Sequence, residues 1–331
     1  MKILVTGGLG FIGSNFIRNM LKNHPDFFII NLDAEVYGSN HMNLEGIDHK
    51  RYKFVRGNIC NQKIVNQLVK KCEIVINFAA ESHVDRSISN SKPFIETNIV
   101  GVSNILEAIK NEKKQFIQIS TDEIFGSLNK NSAKEEDKLN PSSPYASSKA
   151  SAELLVRSYI TTYQSNCIIT RCTNNYGPRQ FPEKLIPKTI LLAHQNKNIP
   201  IYGTGKNVRD WIFVDDHCDA IFNIIENGKS GESYNIGADN EIDNITIVKK
   251  ILKIMDKPID LIEFVEDRPG HDLRYSLDST KIKNQLQWKN RTIFENGLKE
   301  TVEWYIENME WVEKLSKNIL SSTPWKNKFM I

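Results

Sequence analysis

Cysteine is sparse in this 331-residue sequence, and its placing is uninformative for a scaffold. Cys60, Cys72, Cys167, Cys172 and Cys218 make an odd set with no C-x-x-C pair. That speaks against a disulfide framework and for reduced thiols, as in the cytoplasm. Long apolar runs are missing too, and none approaches the roughly 20 residues that a membrane span needs. The N-terminal "MKILVTGGLGFIG" has a lysine ahead of apolar residues, but glycines interrupt it too early for a signal peptide. Charge of one sign is not concentrated anywhere. The formal net charge is +3, and no basic cluster with interleaved aromatics occurs, which sets nucleic acid aside as a partner. No G-x-S-x-G elbow points to a hydrolase, and there is neither an internal repeat nor a low-complexity tail. What remains is an ordinary globular composition, 40% hydrophobic and 25% charged. The length allows two domains, or one domain with a sizeable lobe.

What is present is alternation. "KILVTG", "FFIINLD", "KFVRGNI", "EIVINFAA", "QFIQIST" and "CIITRC" read as six strands. They are rich in Ile, Val and Phe, as strands buried on both faces of a parallel sheet are. Helical patterns over 12–23, 61–71, 93–112 and 145–163 separate them, so the expected class is α/β with a doubly wound parallel (Rossmann) sheet. After residue 173 the pattern loosens: "NNYGP", "GTGKN" and "EDRPGH" read as loops, with helices near 184–195, 245–255 and 293–316. The expected division is a dinucleotide-binding domain over 1–173, to which part of 208–237 returns, and a smaller substrate lobe over most of 174–331.

"TGGLGFIG" follows the first strand and opens a helix, with Gly7, Gly10 and Gly13 in G-x-x-G-x-x-G spacing. Such glycines permit a tight turn, close approach of a pyrophosphate and close helix–strand packing. Asp33 ends the second strand 20 residues after Gly13 (33 − 13), where a carboxylate binds the adenosine ribose. Ala34 and Glu35 come next with no arginine nearby in the chain, which favours NAD over NADP. Tyr145 and Lys149 form Y-x-x-x-K after "NPSSP", where Ser143 is a natural N-cap and Pro144 a first helical residue. One turn apart on one face, the lysine and a positive nicotinamide ring can stabilise a phenolate. Lowering a tyrosine from about 10 toward 7 takes about 4 kcal/mol. Tyr202 and Lys206 match the same pattern, but the glycines of "YGTGK" do not keep a helix. In "STDEIFG", two carboxylates follow the strand "QFIQI" directly. They are either a solvated turn or a proton donor and acceptor facing a substrate.

With these stretches, the sequence resembles the extended short-chain dehydrogenase/reductase family and, within it, the dTDP-glucose 4,6-dehydratases. The likeness is carried by "TGGLGFIGSN", "FAAESHVDRSI", "ISTDEIFG", "PSSPYASSKASAE", "TRCTNNYGPRQFPEKLIP", "PIYGTGKNVRDWIFVDDH" and "DRPGHDLRY", from residue 6 to about 275. It implies a lyase of deoxysugar biosynthesis that oxidises C4, removes water across C5 and C6, and returns the hydride to C6. Thr121 would hydrogen-bond the sugar beside Tyr145, Glu123 would take the C5 proton, and Asp122 would protonate the leaving C6 hydroxyl. Phe11, Ile12, Asp33, Asn58, Ile59, Ala80, Ser82, Thr97, Tyr145, Lys149 and Asn175 would line the NAD site. Ser82, Thr121, Asn174, Lys184, Leu185, Pro200, Tyr202, Arg209, Asn244, Asp267, Arg268 and His271 would hold the nucleotide sugar.

Several plainer readings stand beside these. Arg209 suits a diphosphate, or else forms a surface ion pair with Asp210. His83 and Asp85 suggest a metal site at first sight, but without further ligands nearby they read as a buried hydrogen-bonded pair, and no metal is expected. Trp304, Tyr305 and Trp311 read as anchors of a C-terminal helix to the lobe. Asn58 stands where the resembling family usually has an aspartate, and "DAEVYGSN" differs from its common wording. A nucleotide-sugar 4-epimerase needs Tyr145 and Lys149 but has no work for Asp122 and Glu123. The base of the nucleotide, thymine or uracil, stays open. The helices 93–112 and 145–163 carry more apolar residues than one sheet face covers. The resemblance implies that they pair with their copies in a four-helix bundle across a homodimer axis.

Overall fold

The structure is a computed structural model and describes residues 1–314. Its centre is a seven-stranded parallel sheet. The strands are β1 (Lys2–Thr6), β2 (Phe28–Asp33), β3 (Tyr52–Arg56), β4 (Ile74–Asn77), β5 (Gln115–Thr121) and β6 (Cys167–Cys172), and the chain adds β7 (Asn174–Tyr176), β8 (Ile199–Tyr202), β9 (Val208–Phe213), β10 (Ser233–Ile236), β11 (Glu241–Asp243) and β12 (Ile262–Val265). The sheet order is β10-β6-β5-β4-β1-β2-β3, so the direction of winding reverses between β1 and β4. The expected α/β class is what forms.

The apolar runs are continuous because each strand serves two cores. Ile3 and Val5 of β1 face one cluster and Leu4 faces the other; Ile74 and Ile76 of β4 likewise oppose Val75. Helices Phe11–Asn23 and Val214–Asn227 cover the first face, and Gln62–Val69, Val102–Ile109 and Pro144–Tyr163 cover the second. Each such side chain, fully buried, contributes about 1.5–3 kcal/mol.

Helix Pro144–Tyr163 starts as its sequence suggests, with Ser143 Oγ accepting from Ala146 N at 3.1 Å. The stretch expected as one helix over 93–112 is interrupted. Lys92–Ile95 and Val102–Ile109 are α-helical, but Glu96–Gly101 between them is a π-helical turn. Asn98 is satisfied inside it by Glu81 and Ser148. "NNYGP", expected as loop, begins with the three-residue β7, which pairs with β9. "GTGKN" is a turn, with Gly203 and Gly205 at positive φ.

The lobe adds the small sheets β11-β9-β7 and β12-β8 and a core of Tyr176, Trp211, Phe213, Ile247, Phe294, Leu298, Tyr305 and Trp311. Tyr305 and Trp311 are core anchors, as their spacing suggests. Helix Phe294–Glu307 breaks at Asn308 before Met309–Glu313, and residues 315–316 of the expected helix lie outside the described residues. No helix among the described residues is long and apolar enough to cross a membrane.

Candidate active site

The glycine turn lies where the strand order reverses, the usual place for a ligand in an open α/β sheet. Gly7 has a φ of 70°, and a Cβ there would lie 2.6 Å from Ala79 N, just past β4. A Cβ on Gly13 would lie 2.5 Å from Gly7 O. Helix Phe11–Asn23 has no side-chain cap and no acidic residue in its first turn, so its N–H groups and positive dipole end are left to an anion. A dinucleotide diphosphate fits this cradle.

One cleft runs from that turn, and Gly7, Gly10, Phe11, Ile12, Gly13, Asp33, Asn58, Ile59, Ala80, Ser82, Thr97, Tyr145, Lys149 and Asn175 all line it. Asp33 is fixed by Leu9 N and Glu35 N, which donate to its two oxygens at 2.9 and 2.8 Å. Asn58 Oδ1 accepts from Cys60 N at 2.8 Å. No arginine follows Asp33 in the chain, but folding supplies one: Arg56, in register with Asp33 across β2 and β3, pairs with Glu35 at 2.5 Å. His41 Nε2 meets the other Glu35 oxygen, so Arg56 and His41 flank Glu35 beside the expected ribose position.

Thr121, Asp122 and Glu123 line the same cleft. Thr121 ends β5 and caps the 3-10 turn Asp122–Phe125, its Oγ1 accepting from Glu123 N at 3.4 Å and donating to Asp122 Oδ1 at 3.2 Å. Gly126 closes the turn with a φ of 68°. The acidic pair is no solvated turn: Asp122 is 4% exposed, and Asp122 Oδ2 and Glu123 Oε2 are both buried with no partner. Burial raises both carboxyls, but the surroundings part them. The charges of Glu123 and Asp210 push Asp122 further, well above the usual range. Glu123 has the cations Arg268, Lys184 and Arg209 opposing its rise. The stronger rise falls on Asp122, which suits it to the donor's part and Glu123 to the acceptor's.

Tyr145 and Lys149 are buried at the same place, and here the expected lowering of the tyrosine is not what the protein alone provides. Burial holds the Tyr145 hydroxyl well above 10, with Glu123 and Cys172 adding to it, and a hydrogen bond with Thr121 acts the other way. Lys149 is brought down to about 8 by burial, and its Nζ donates to Ile119 O at 2.6 Å. Asn175 is held by two partners, donating to Thr173 O and meeting His217 Nδ1 at 2.8 Å. His217 itself is depressed to about 3 by full burial.

Of the residues expected at the sugar nucleotide, Ser82, Thr121, Asn174 and Lys184 line the cleft, and Lys184 Nζ donates to Ser82 O at 3.3 Å. The others stand in the lobe. Leu185 opens helix Leu185–His194 and Asn244 opens Asn244–Ile254, while Pro200 and Tyr202 lie on β8. Asp267 meets His271 Nδ1 at 2.6 Å. Arg209 is 5% exposed, donates to Asp272 O at 3.0 Å and lies over the Tyr275 ring. A surface pair with Asp210 does not form, because Asp210 accepts from Ala238 N and Asn240 N. Nor do His83 and Asp85 bond each other. His83 Nδ1 stands 3.5 Å from Glu183 Oε2, whereas Asp85 turns to Arg268 and Tyr202. Among the described residues no cluster fit to hold a metal occurs.

Sequence reasoning missed His217, Arg56 and Glu183 at this site. The first two act through partners far away in the chain, which no local spacing reveals. Glu183 lies within "FPEKLIP", a segment quoted for its likeness, but gives no signal of its own.

A nucleotide cradle at the sheet's reversal point, with a Tyr–Lys pair and two buried carboxylates beside it, defines an extended short-chain dehydrogenase/reductase. The chain belongs to the GDP-mannose 4,6 dehydratase family, whose model matches residues 4–301. It is 46% identical to a low-salt glycan biosynthesis protein of Haloferax volcanii over 94% of this chain and 100% of that one. It is 44% identical to dTDP-glucose 4,6-dehydratase of Streptomyces niveus over 95% and 96%. Among solved structures, the NAD complex of dTDP-glucose 4,6-dehydratase from Bacillus anthracis matches with a TM-score of 0.89 at 46% identity, covering 94% of this chain and 98% of that one. UDP-glucose 4-epimerase from Thermotoga maritima matches at 0.87 and 29%, covering 93% and 100%.

Proposed function

We propose that the protein is an NAD-dependent hydro-lyase that converts dTDP-glucose to its 4-keto-6-deoxy derivative. The observation that carries this reading is the buried Asp122–Glu123 pair, which lines the cleft together with Tyr145 and in which each carboxyl keeps one oxygen without a partner. NAD, when bound in the glycine cradle, supplies the hydride acceptor for C4 and the donor for C6. The protein's residues move the protons. Tyr145 takes the proton of the C4 hydroxyl, and because the protein alone holds its phenol high, the positive nicotinamide is needed to bring it down. Lys149 carries a charge in the same pocket, and Thr121 orients the sugar. The C4 ketone acidifies C5–H; Glu123 removes that proton, Asp122 donates one to the departing C6 hydroxyl, and Glu123 returns its proton to C5 once the hydride has added to C6. Asp33 binds the adenosine ribose, with Glu35 neutralising Arg56 so that a 2′-phosphate has no free cation there. Arg209 and Arg268 serve the substrate's phosphates and Asn174, Lys184, Tyr202 and Asn244 its remainder.

A second copy completes the molecule in this reading. Ile95, Val100, Leu154 and Tyr163 are each exposed by 47% or more on the helical segments 92–109 and Pro144–Tyr163. That apolar face supports the four-helix pairing of a homodimer. Five unbridged cysteines support a cytoplasmic setting.

The test is turnover on dTDP-glucose and UDP-glucose, read by the alkali-induced absorbance of a 4-keto-6-deoxy product. Product from dTDP-glucose with no net NADH is expected. Conversion to galactose configuration without that absorbance would establish the epimerase instead.

A further inference from the structure

Asp85 takes no part in the chemistry described, yet it is only 2% exposed. It lies in helix Val84–Ser89, immediately beyond the cleft wall at Ser82 and His83. Both of its carboxylate oxygens are occupied by the lobe. Arg268 Nη1 donates to Oδ1 at 2.8 Å, and Tyr202 Oη donates to Oδ2 at 3.2 Å. These partners stand 183 and 117 residues further along the chain. Asp85 is thus a tie from the sheet side of the cleft to the two lobe elements that flank it, β8 and the loop after β12.

Adhesion alone does not explain such a tie. A buried ion pair gains little net stability, because desolvation offsets the attraction, and packed apolar side chains would join the two sides as well. What the pair adds is direction. A guanidinium is a rigid planar fork, and holding one edge fixes where its other donors aim. Arg268 retains such a donor: its Nε is buried with no partner, on a side chain only 14% exposed. Tyr202, the other partner, is likewise held by its hydroxyl, so both side chains are oriented by one carboxylate.

We propose that Asp85 is a positioning residue for substrate binding: it holds Arg268 and Tyr202 so that the open edge of the guanidinium meets the diphosphate of a nucleoside diphosphate. This rests on the dehydratase reading through the substrate role of Arg268. In this arrangement Asp85 itself contacts no substrate, and its own charge is compensated before the anion arrives.

Asp85→Asn, Arg268→Gln and the double variant test this in the NAD-loaded protein. Calorimetric Kd values for dTDP, UDP and GDP are measured alongside kcat, KM and thermal midpoint. Asp85→Asn is expected to raise the Kd of dTDP and the KM about tenfold or more, with kcat within about threefold, because binding rather than the transition state is affected. The double variant should bind dTDP no more weakly than Arg268→Gln alone, since Asp85 acts through that arginine. Parent-like affinity in Asp85→Asn, additive losses, or a lowered midpoint with unchanged Kd would each overturn the proposal. Should Asp85→Asn not fold, Arg268→Lys replaces it: the ion pair is kept but the Nε donor is gone. Tenfold weaker dTDP binding at an unchanged midpoint then supports the proposal, and parent-like binding overturns it. A parent protein that binds none of the three nucleotides overturns the dehydratase reading itself, and this inference with it.

Discussion

In the proposed reaction the neighbours Asp122 and Glu123 have opposite tasks, and their surroundings differ: Glu123 adds to the rise of Asp122, whereas Arg268 and Lys184 oppose the rise of Glu123. Asp122→Asn is expected to permit C4 oxidation and C5 proton removal but to slow the loss of water at least a hundredfold, since an amide cannot serve as the acid. Glu123→Gln should stop one step earlier. Deuterium exchange at C5 distinguishes them: it should survive in the first variant and vanish in the second, and enzyme-bound NADH should accumulate in both. Tyr145→Phe should accumulate none, with kcat down by about 10²-fold or more and KM little changed. His217 carries a pH signature. Its folded pKa of about 3 lies below that of an ordinary histidine near 6.5, so the unfolded chain binds the extra proton between these values and the folded protein loses stability as pH falls through that window. The stability advantage of the parent over His217→Gln should therefore shrink by about 1.4 kcal/mol per pH unit on acidification from 6.5 toward 3. Urea unfolding at several pH values measures this, and a pH-independent difference would mean that His217 does not titrate so. That Thr121, Asp122, Glu123, Tyr145 and Lys149 would meet at one cleft was legible because they sit in two short stretches, each just after a strand or a cap. His217 gave no signal, and Asp85 was read as buried but with the wrong partner, since their true partners are 42 to 183 residues away and only folding brings them near.

The 3-10 turn Asp122–Phe125 carries both carboxylates of the proposed chemistry, and Gly126 is its stop. Gly126 combines a φ of 68° with a ψ of −165°, and a Cβ there would lie 2.3 Å from Asn140 O. Gly126→Ala should destabilise the protein by about 1–3 kcal/mol and lower kcat, because the strain must be relieved by moving the turn that carries both carboxylates. Chemical denaturation with parallel kinetics decides; a neutral effect on both would show that the turn tolerates the shift. Elements with strong periodicity were readable from the sequence, and helix Pro144–Tyr163 even shows its cap. The π-helical turn at Glu96–Gly101 was not. Its widening reflects tertiary demands, the tying of Asn98 to Glu81 and Ser148 and the packing of Gly101 on Ile59, which helical spacing does not encode.

Across the whole molecule, the apolar residues left at the surface of Pro144–Tyr163 would form the contact of the proposed dimer. Leu154, 59% exposed, lies on that face. Leu154→Glu is expected to shift a dimer to monomer in light scattering at micromolar concentration, and a parent that is already a monomer there would refute the pairing. The sheet has a further consequence through its outermost strand. β10 joins β6 at one edge only after the chain has built part of the lobe, and the helix Val214–Asn227 that covers Ile168 arrives by the same detour. The two halves are thus interlaced rather than strung in series. A fragment ending at residue 173 would lack both β10 and helix Val214–Asn227, and would leave β6 unpaired at one edge with an apolar face bare.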